Sequence, residues 1–176
     1  MTGREIINFA SQELIKRPIT EDNGIAWIND CLLTELGKDA NVFGETIMTA
    51  CKAGMRYELP PDCISVFEVY DKNNNDFHYW KVSAGRILFA FDGDYTLYYY
   101  RIPRKIDLAT LEAEIDCHPL LHLVIPYYLA FRFYAPDFMA DKETDARYIE
   151  FKNKLSMVLE QIQPKRGRII KTYSWV

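Results

Sequence analysis

Residues able to do chemistry are sparse in this chain, and their spacing argues against most of it. Cys117, His118 and His122 come nearest to a metal-ligand set. His118 and His122 stand four apart, so a helix would bring them to one face. Zinc needs three or four such ligands with supporting groups behind them. The only other histidine is His78, in a strand-like run, and no HExxH pattern occurs. Cys117, His118 and His122 are therefore expected to be polar residues at the start of a helix. A Cys117–His118 nucleophile pair is disfavoured too, since adjacent residues on a helix do not face each other. Paired carboxylates occur at Asp92/Asp94 and at Glu112/Glu114/Asp116. Divalent-metal nuclease chemistry would need carboxylates gathered from several elements, whereas Asp92 and Asp94 flank Gly93 in what reads as a solvated hairpin tip. Tyr98-Tyr99-Tyr100 could stack bases, but only Arg101, Arg104 and Lys105 stand near it. Alternating aromatics of a sheet core account for it better. No Gly-rich phosphate loop and no GxSxG elbow is present. The residues predict no catalytic role, no cofactor and no metal.

The elements that would position a site follow from periodicity. Thr2 caps a first helix, with Glu5 as its capping-box partner. Ile6, Ile7, Ala10 and Leu14 follow at helical spacing, and Pro18 ends the run. This predicts a helix over 2–17. A second helix over 20–37 carries Ile25, Ile28, Leu32 and Leu36, with Trp27 and Cys31 beside them, and Gly37 closes it. The two make an αα-hairpin. A β insertion of about 45–102 comes next. Residues 45–51 and 54–59 read weakly as strand, and 64–70, 77–82, 87–91 and 95–101 read strongly. Asp71 to Asp76, Ser83-Ala84-Gly85 and Asp92-Gly93 separate the strong strands as turns, Asp92-Gly93 being a two-residue hairpin signal. That spacing predicts an antiparallel meander. Helical periodicity returns over 106–117, 119–135 and 141–163, and Pro126 predicts a kink or a broken first turn in the second of these. The expected fold class is α+β: a mostly helical bundle interrupted by an antiparallel β-meander insertion, with an extended C-terminal arm. Residues 1–163 form one domain and 164–176 the arm.

Composition sets the function classes. The chain has 176 residues, 49% of them hydrophobic, 14% aromatic and 26% charged. This suits one self-sufficient core, without disulfide or metal staples. Cys31, Cys51, Cys63 and Cys117 are scattered singly, which suits small core residues in a reducing compartment. Residues 1–16 mix charged and apolar residues and are not expected to be a secretory leader, and no apolar run is long enough to span a bilayer. The net charge of −4 lacks the basic excess typical of a phosphate-gripping protein. The charge is uneven: residues up to 163 carry 17 basic against 25 acidic side chains, and the last 13 carry four basic and no acidic ones. That tail holds Lys165, Arg166, Arg168, Ile169, Ile170, Lys171, Tyr173 and Trp175. Fully extended, it reaches roughly 45 Å, against a radius of gyration of about 16 Å for a chain of this length. Ile169, Tyr173 and Trp175 fall on one side of an extended segment, a pattern suited to strand addition on another sheet. These residues are the expected partner-binding site, on another protein or on a neighbouring subunit; an arm folded back on its own body is the alternative.

The order of elements resembles the head–tail adaptor (connector) proteins of tailed bacteriophages. The cues are Tyr57-Glu58-Leu59-Pro60-Pro61-Asp62 before a strand, Gly93-Asp94-Tyr95 leading to Tyr98-Tyr99-Tyr100-Arg101-Ile102-Pro103, and His118-Pro119-Leu120-Leu121 before Tyr127-Tyr128-Leu129-Ala130-Phe131-Arg132. The likeness spans roughly residues 20–163 and departs at the loop 71–76 and in the arm. It implies a structural virion protein of the neck, made in the host cytoplasm. Its subunits would form a twelvefold ring between portal and tail and extend a channel through which DNA passes without specific binding. It implies the portal protein and a tail or stopper protein as partners, with residues 165–175 directed at the portal or an adjacent subunit. It carries over no catalytic residue. Another neck or tail component, such as a stopper or tail completion protein, is the alternative, and a non-viral binding module or a small nucleic-acid-processing enzyme a further one.

Overall fold

Thr2 opens the first helix as expected: its hydroxyl accepts the Glu5 N–H, and the Glu5 carboxylate accepts the Thr2 N–H. The computed structural model describes residues 1–40, 42–135 and 145–162, without the side chains of 38 and 39. Helix α1 (Gly3–Phe9) runs into a π-helical segment, Ala10–Ile15. Helix α2 (Glu21–Asp30) runs into another, Cys31–Leu36, and then a 3₁₀ turn, Gly37–Ala40. A π turn closes five residues apart, so the buried face moves on from Ala10 to Ile15, and Leu14 is left half-exposed. Cys31 and Leu36 are both buried by the same step of five. After the strands, a 3₁₀ turn (Pro119–Leu123) leads into α3 (Ile125–Tyr134), with Pro126 in its first turn, where a missing N–H costs nothing. Helix α4 (Ala146–Ile162) follows.

The described residues divide into two compact units. One comprises Met1–Ile28, Asp107–Glu114 and the residues from Pro119 on. In it α3 lies against α4, the Ala10–Ile15 segment and α1. Aromatic rings make that packing: Tyr128 meets Phe151 at 5.2 Å, and Phe131 meets Tyr148 at 5.1 Å. Gly24 lets α2 approach Ile7, for a Cβ there would fall within 2.6 Å of Ile7 Cγ1.

The other unit comprises Asn29–Ile106 and Ile115–His118. It holds β1 (Phe43–Cys51), β2 (Arg56–Glu58), β3 (Cys63–Asp71), β4 (Trp80–Ser83), β5 (Arg86–Phe89) and β6 (Gly93–Arg101). They form two antiparallel three-stranded sheets, ordered β1-β6-β3 and β2-β5-β4. Val69, Tyr95 and Leu97 of the first sheet share a core with Ile87 and Phe89 of the second. Phe89 and Tyr95 stack at 4.1 Å, and burial pushes the Tyr95 hydroxyl up.

Four expectations are corrected. The chain is not a mostly helical bundle: its helical runs are short, and two full sheets stand beside them. The strands are not a meander, because among the described residues β4 and β5 are the only consecutive strands that pair. Asp92-Gly93 makes no hairpin; it carries the chain from one sheet to the other, so that two apolar faces can close on each other. Residues 106–117 are turns rather than a helix. Asn29 explains the start, since its side-chain amide pairs with both the N–H and the C=O of Ile106 at 2.8 Å. The Asp107 and Thr110 side chains then bond each other's backbone N–H at 2.9 Å, and the Leu111 carbonyl accepts the Arg4 N–H. Those backbone groups are thereby withdrawn from a helical ladder.

Candidate interaction surface

The sheet β1-β6-β3 has a second face. The register sets Gly44, Thr46 and Met48 beside Tyr99, Leu97 and Tyr95 on the core side. It sets Phe43, Glu45 and Ile47 beside Tyr100, Tyr98 and Thr96 on the other. Gly44 is required by the inner side, because a Cβ there would stand within 2.6 Å of Tyr99 Cε2. On the third strand, Ser65, Glu68 and Tyr70 lie opposite Tyr100, Tyr98 and Thr96. A bulge between Val66 and Glu68 supplies one extra residue, Phe67, and re-aims it outward. Phe67 then meets Tyr100 at 4.8 Å and Phe43 at 5.7 Å, and Phe43 meets Tyr100 at 5.5 Å. Tyr98 and Tyr70 meet edge to face at 5.6 Å.

This face carries carboxylates and no basic side chain among the strand residues just named. Glu45, Tyr98 and Glu68 form one row across the three strands. The charge of Glu68 is the first cause pushing the Tyr70 hydroxyl above its usual range. Phe43 is 53% exposed and Ile47 67% exposed. An aromatic platform for bases would want cations beside it; this one is apolar with an acidic middle. The run does alternate: Tyr99 belongs to the core, and Tyr98 and Tyr100 lie on the outer face.

The residues singled out for chemistry are placed elsewhere and hold structure. Asp92 accepts the Ala53 N–H at 2.7 Å and Lys52 Nζ at 2.9 Å, contacts that keep its carboxyl below the usual range. Asp94 accepts the Ala50 N–H at 2.7 Å. Ala50 sits at φ 54°, so the two aspartates clamp the bulged end of β1. Glu112 pairs with Arg4, and Glu114 lies 3.7 Å from the Met1 amine. Asp116 forms a two-pronged pair with Arg101 at 2.7 and 2.9 Å and accepts the Arg104 N–H at 2.8 Å. His122 is buried, its Nδ1 2.6 Å from the Met1 amine. The His118 N–H bonds the Ala40 carbonyl, and His78 lies 3.3 Å from Asp76. Cys51 and Cys63 have their thiols pushed up by burial. Among the described residues no three His, Cys, Asp or Glu side chains are grouped to hold a metal, and no helix is long and apolar enough to cross a membrane. Lys165, Arg166, Arg168, Ile169, Ile170, Lys171, Tyr173 and Trp175 lie outside the described residues.

The outer face was missed in the sequence, although a signal for it is present. Strand β6 is apolar or aromatic at both parities, with Tyr95, Leu97 and Tyr99 on one and Tyr98 and Tyr100 on the other. A strand apolar on both faces is one with two faces to cover. No family model and no curated protein matches the chain.

Proposed function

We propose that the chain is a structural assembly protein of the head–tail adaptor kind. Copies form a ring between portal and tail in the virion neck, twelvefold by resemblance to that family, and extend the channel that DNA passes through. The observation that carries an assembly role is the outer face of β1-β6-β3, where the Phe43–Phe67–Tyr100 ring cluster and the well-exposed Ile47 lie on either side of the Glu45–Tyr98–Glu68 row. Aromatic patches of this kind are what protein partners cover. The acidic excess up to residue 163 suits a conduit, because negative walls do not trap a sliding polyanion. The work is binding rather than catalysis: Asp92, Asp94 and Asp116 are spent on backbone N–H groups and an arginine. The basic, aromatic residues 165–176 attach the chain to the portal or to a neighbouring subunit.

The test is capture of the chain on immobilised portal protein, with and without residues 165–176. The full chain is expected to bind, and the shortened chain to lose binding while keeping its circular dichroism. Attachment that survives the deletion overturns the assigned role of the arm. Capture on a tail tube in place of portal moves the chain to a stopper or tail-completion role. Metal-dependent cleavage of DNA would replace the assembly reading with an enzymatic one.

A further inference from the structure

We infer that the outer edge of β1 is a strand-addition site for residues 168–175 of a second copy of this chain. Strand β1 stands at the edge of its sheet, with β6 on one side only. The Arg101 N–H bonds the Val42 carbonyl at 3.0 Å, and this sets the phase of the ladder. In an antiparallel pair, bonded and non-bonded couples alternate. Gly44, Thr46 and Met48 therefore bond to β6, and the backbone N–H and C=O groups of Phe43, Glu45 and Ile47 point away from it. The Phe43 carbonyl takes Arg101 Nε at 3.2 Å. From Glu45 to Ile47, no strand among the described residues pairs with that edge. The strand is nine residues long and has neither Pro nor Lys. Natural edges of that length are covered, broken or charged, since an open one templates pairing.

The side chains along the edge say what fits. Phe43 and Ile47 bracket Glu45, and Glu68 continues the acidic row two strands away. The complement is an extended segment that is apolar, basic and apolar at alternate positions. Residues 169–175 have that order: Ile169, Lys171, Tyr173 and Trp175 share one parity. Laid along β1 in either direction with Lys171 opposite Glu45, Ile169 and Tyr173 fall beside Ile47 and Phe43. Main-chain bonds supply the affinity of such an addition and alternate side chains its selectivity. The donor is a second copy because an arm-to-edge contact between copies is head-to-tail, the kind of contact that builds a ring when the rotation between copies closes. In that choice of donor the inference rests on the adaptor reading; the edge and its complement do not.

The experiment measures amide hydrogen exchange at Glu45 and Ile47 in the full-length chain at low and high protein concentration, alongside sedimentation. Self-association is expected to slow exchange at both amides by about tenfold or more. The effect should vanish in Glu45→Lys and in Lys171→Glu and return in the double variant. Both positions are solvent-facing or beyond the described core, so the single variants should keep the wild-type circular dichroism. Exchange that is fast at every concentration overturns the inference. So does protection that ignores concentration, which would place the segment on its own copy, or protection that survives both single variants. Portal capture measured on the same variants separates the two readings. Edge protection by a second copy without portal capture leaves this site standing and removes the adaptor role; arm-dependent portal capture with an unprotected edge does the reverse.

Discussion

Asp116 accepts three hydrogen bonds, two from the Arg101 guanidinium and one from the Arg104 N–H. Its side chain is 24% exposed and that of Arg101 16% exposed. Burial alone would raise this carboxyl; the hydrogen bond from Arg101 and the Arg104 N–H outweigh it and hold the group below the usual range. Asn at this position keeps the shape but takes from the mostly buried Arg101 its two-pronged carboxylate, leaving the charge of Asp62 as its remaining opposite charge among the described residues. Asp116→Asn is therefore expected to cost about 2 kcal/mol, read as a fall in the denaturation midpoint. The pH dependence follows from the sign of the shift. A carboxyl whose folded pKa is depressed contributes fully above its ordinary value of about 4, and the contribution is lost as pH falls through the folded value. The wild type should thus lose stability below about pH 4 more steeply than the variant. Equal acid profiles would mean that the pair does not hold the segment. Seen alone, Glu112/Glu114/Asp116 looked like a carboxylate cluster. Each of its members instead has its own cation, because the segment is extended through turns and no helical face gathers them.

At the scale of elements, the π segments decide which residues pack. A straight α-helix over 2–17 would bury Leu14. The wider turn at Ala10–Ile15 buries Ile15, at 4% exposure, in its place. Ile15→Ala is expected to cost about 3 kcal/mol by opening a cavity, and Leu14→Ala less than about 1 kcal/mol. Thermal melts of the two variants check this, and the reverse order would restore the plain helix. Other boundaries were legible from local chemistry. The capping box at Thr2 and Glu5 follows from a rule that needs no neighbour, whereas α3 begins at Ile125 rather than at 119, with Pro126 in its first turn. The runs 64–70, 87–91 and 95–101 coincide with β3, β5 and β6 to within two residues, since β-branched and aromatic content marks strands locally. The helix expected over 106–117 failed because its backbone partners, Asn29 and Arg4, are far away in sequence.

For the molecule as a whole, charge asymmetry is the property with the widest reach. Removing residues 165–176 would take the net charge from −4 to −8. If that basic segment meets the Glu45–Glu68 row of another copy, salt should weaken the contact. Exposed pairs are screened beyond about 10 Å at 0.1 M salt. Self-association measured by sedimentation is expected to fall several-fold between 0.05 and 0.5 M salt. It should not vanish, because Ile169 and Tyr173 would still bury apolar surface. Salt-independent association would mean that the basic residues serve another contact.

What the chain's residues determined by themselves was local: the cap that opens the first helix, the strong strand runs, and how unequally charge is spread. Such features depend on neighbours within a turn or two, so they can be read in order. Which strands pair, and the two-sheet arrangement that replaced a helical bundle with a meander, depended on closing Val69, Tyr95 and Leu97 over Ile87 and Phe89. That closure also turned Phe43, Tyr98 and Tyr100 outward together; the two-sided apolar pattern of β6 points to a second face, but which residues share it is decided by strands dozens of positions away.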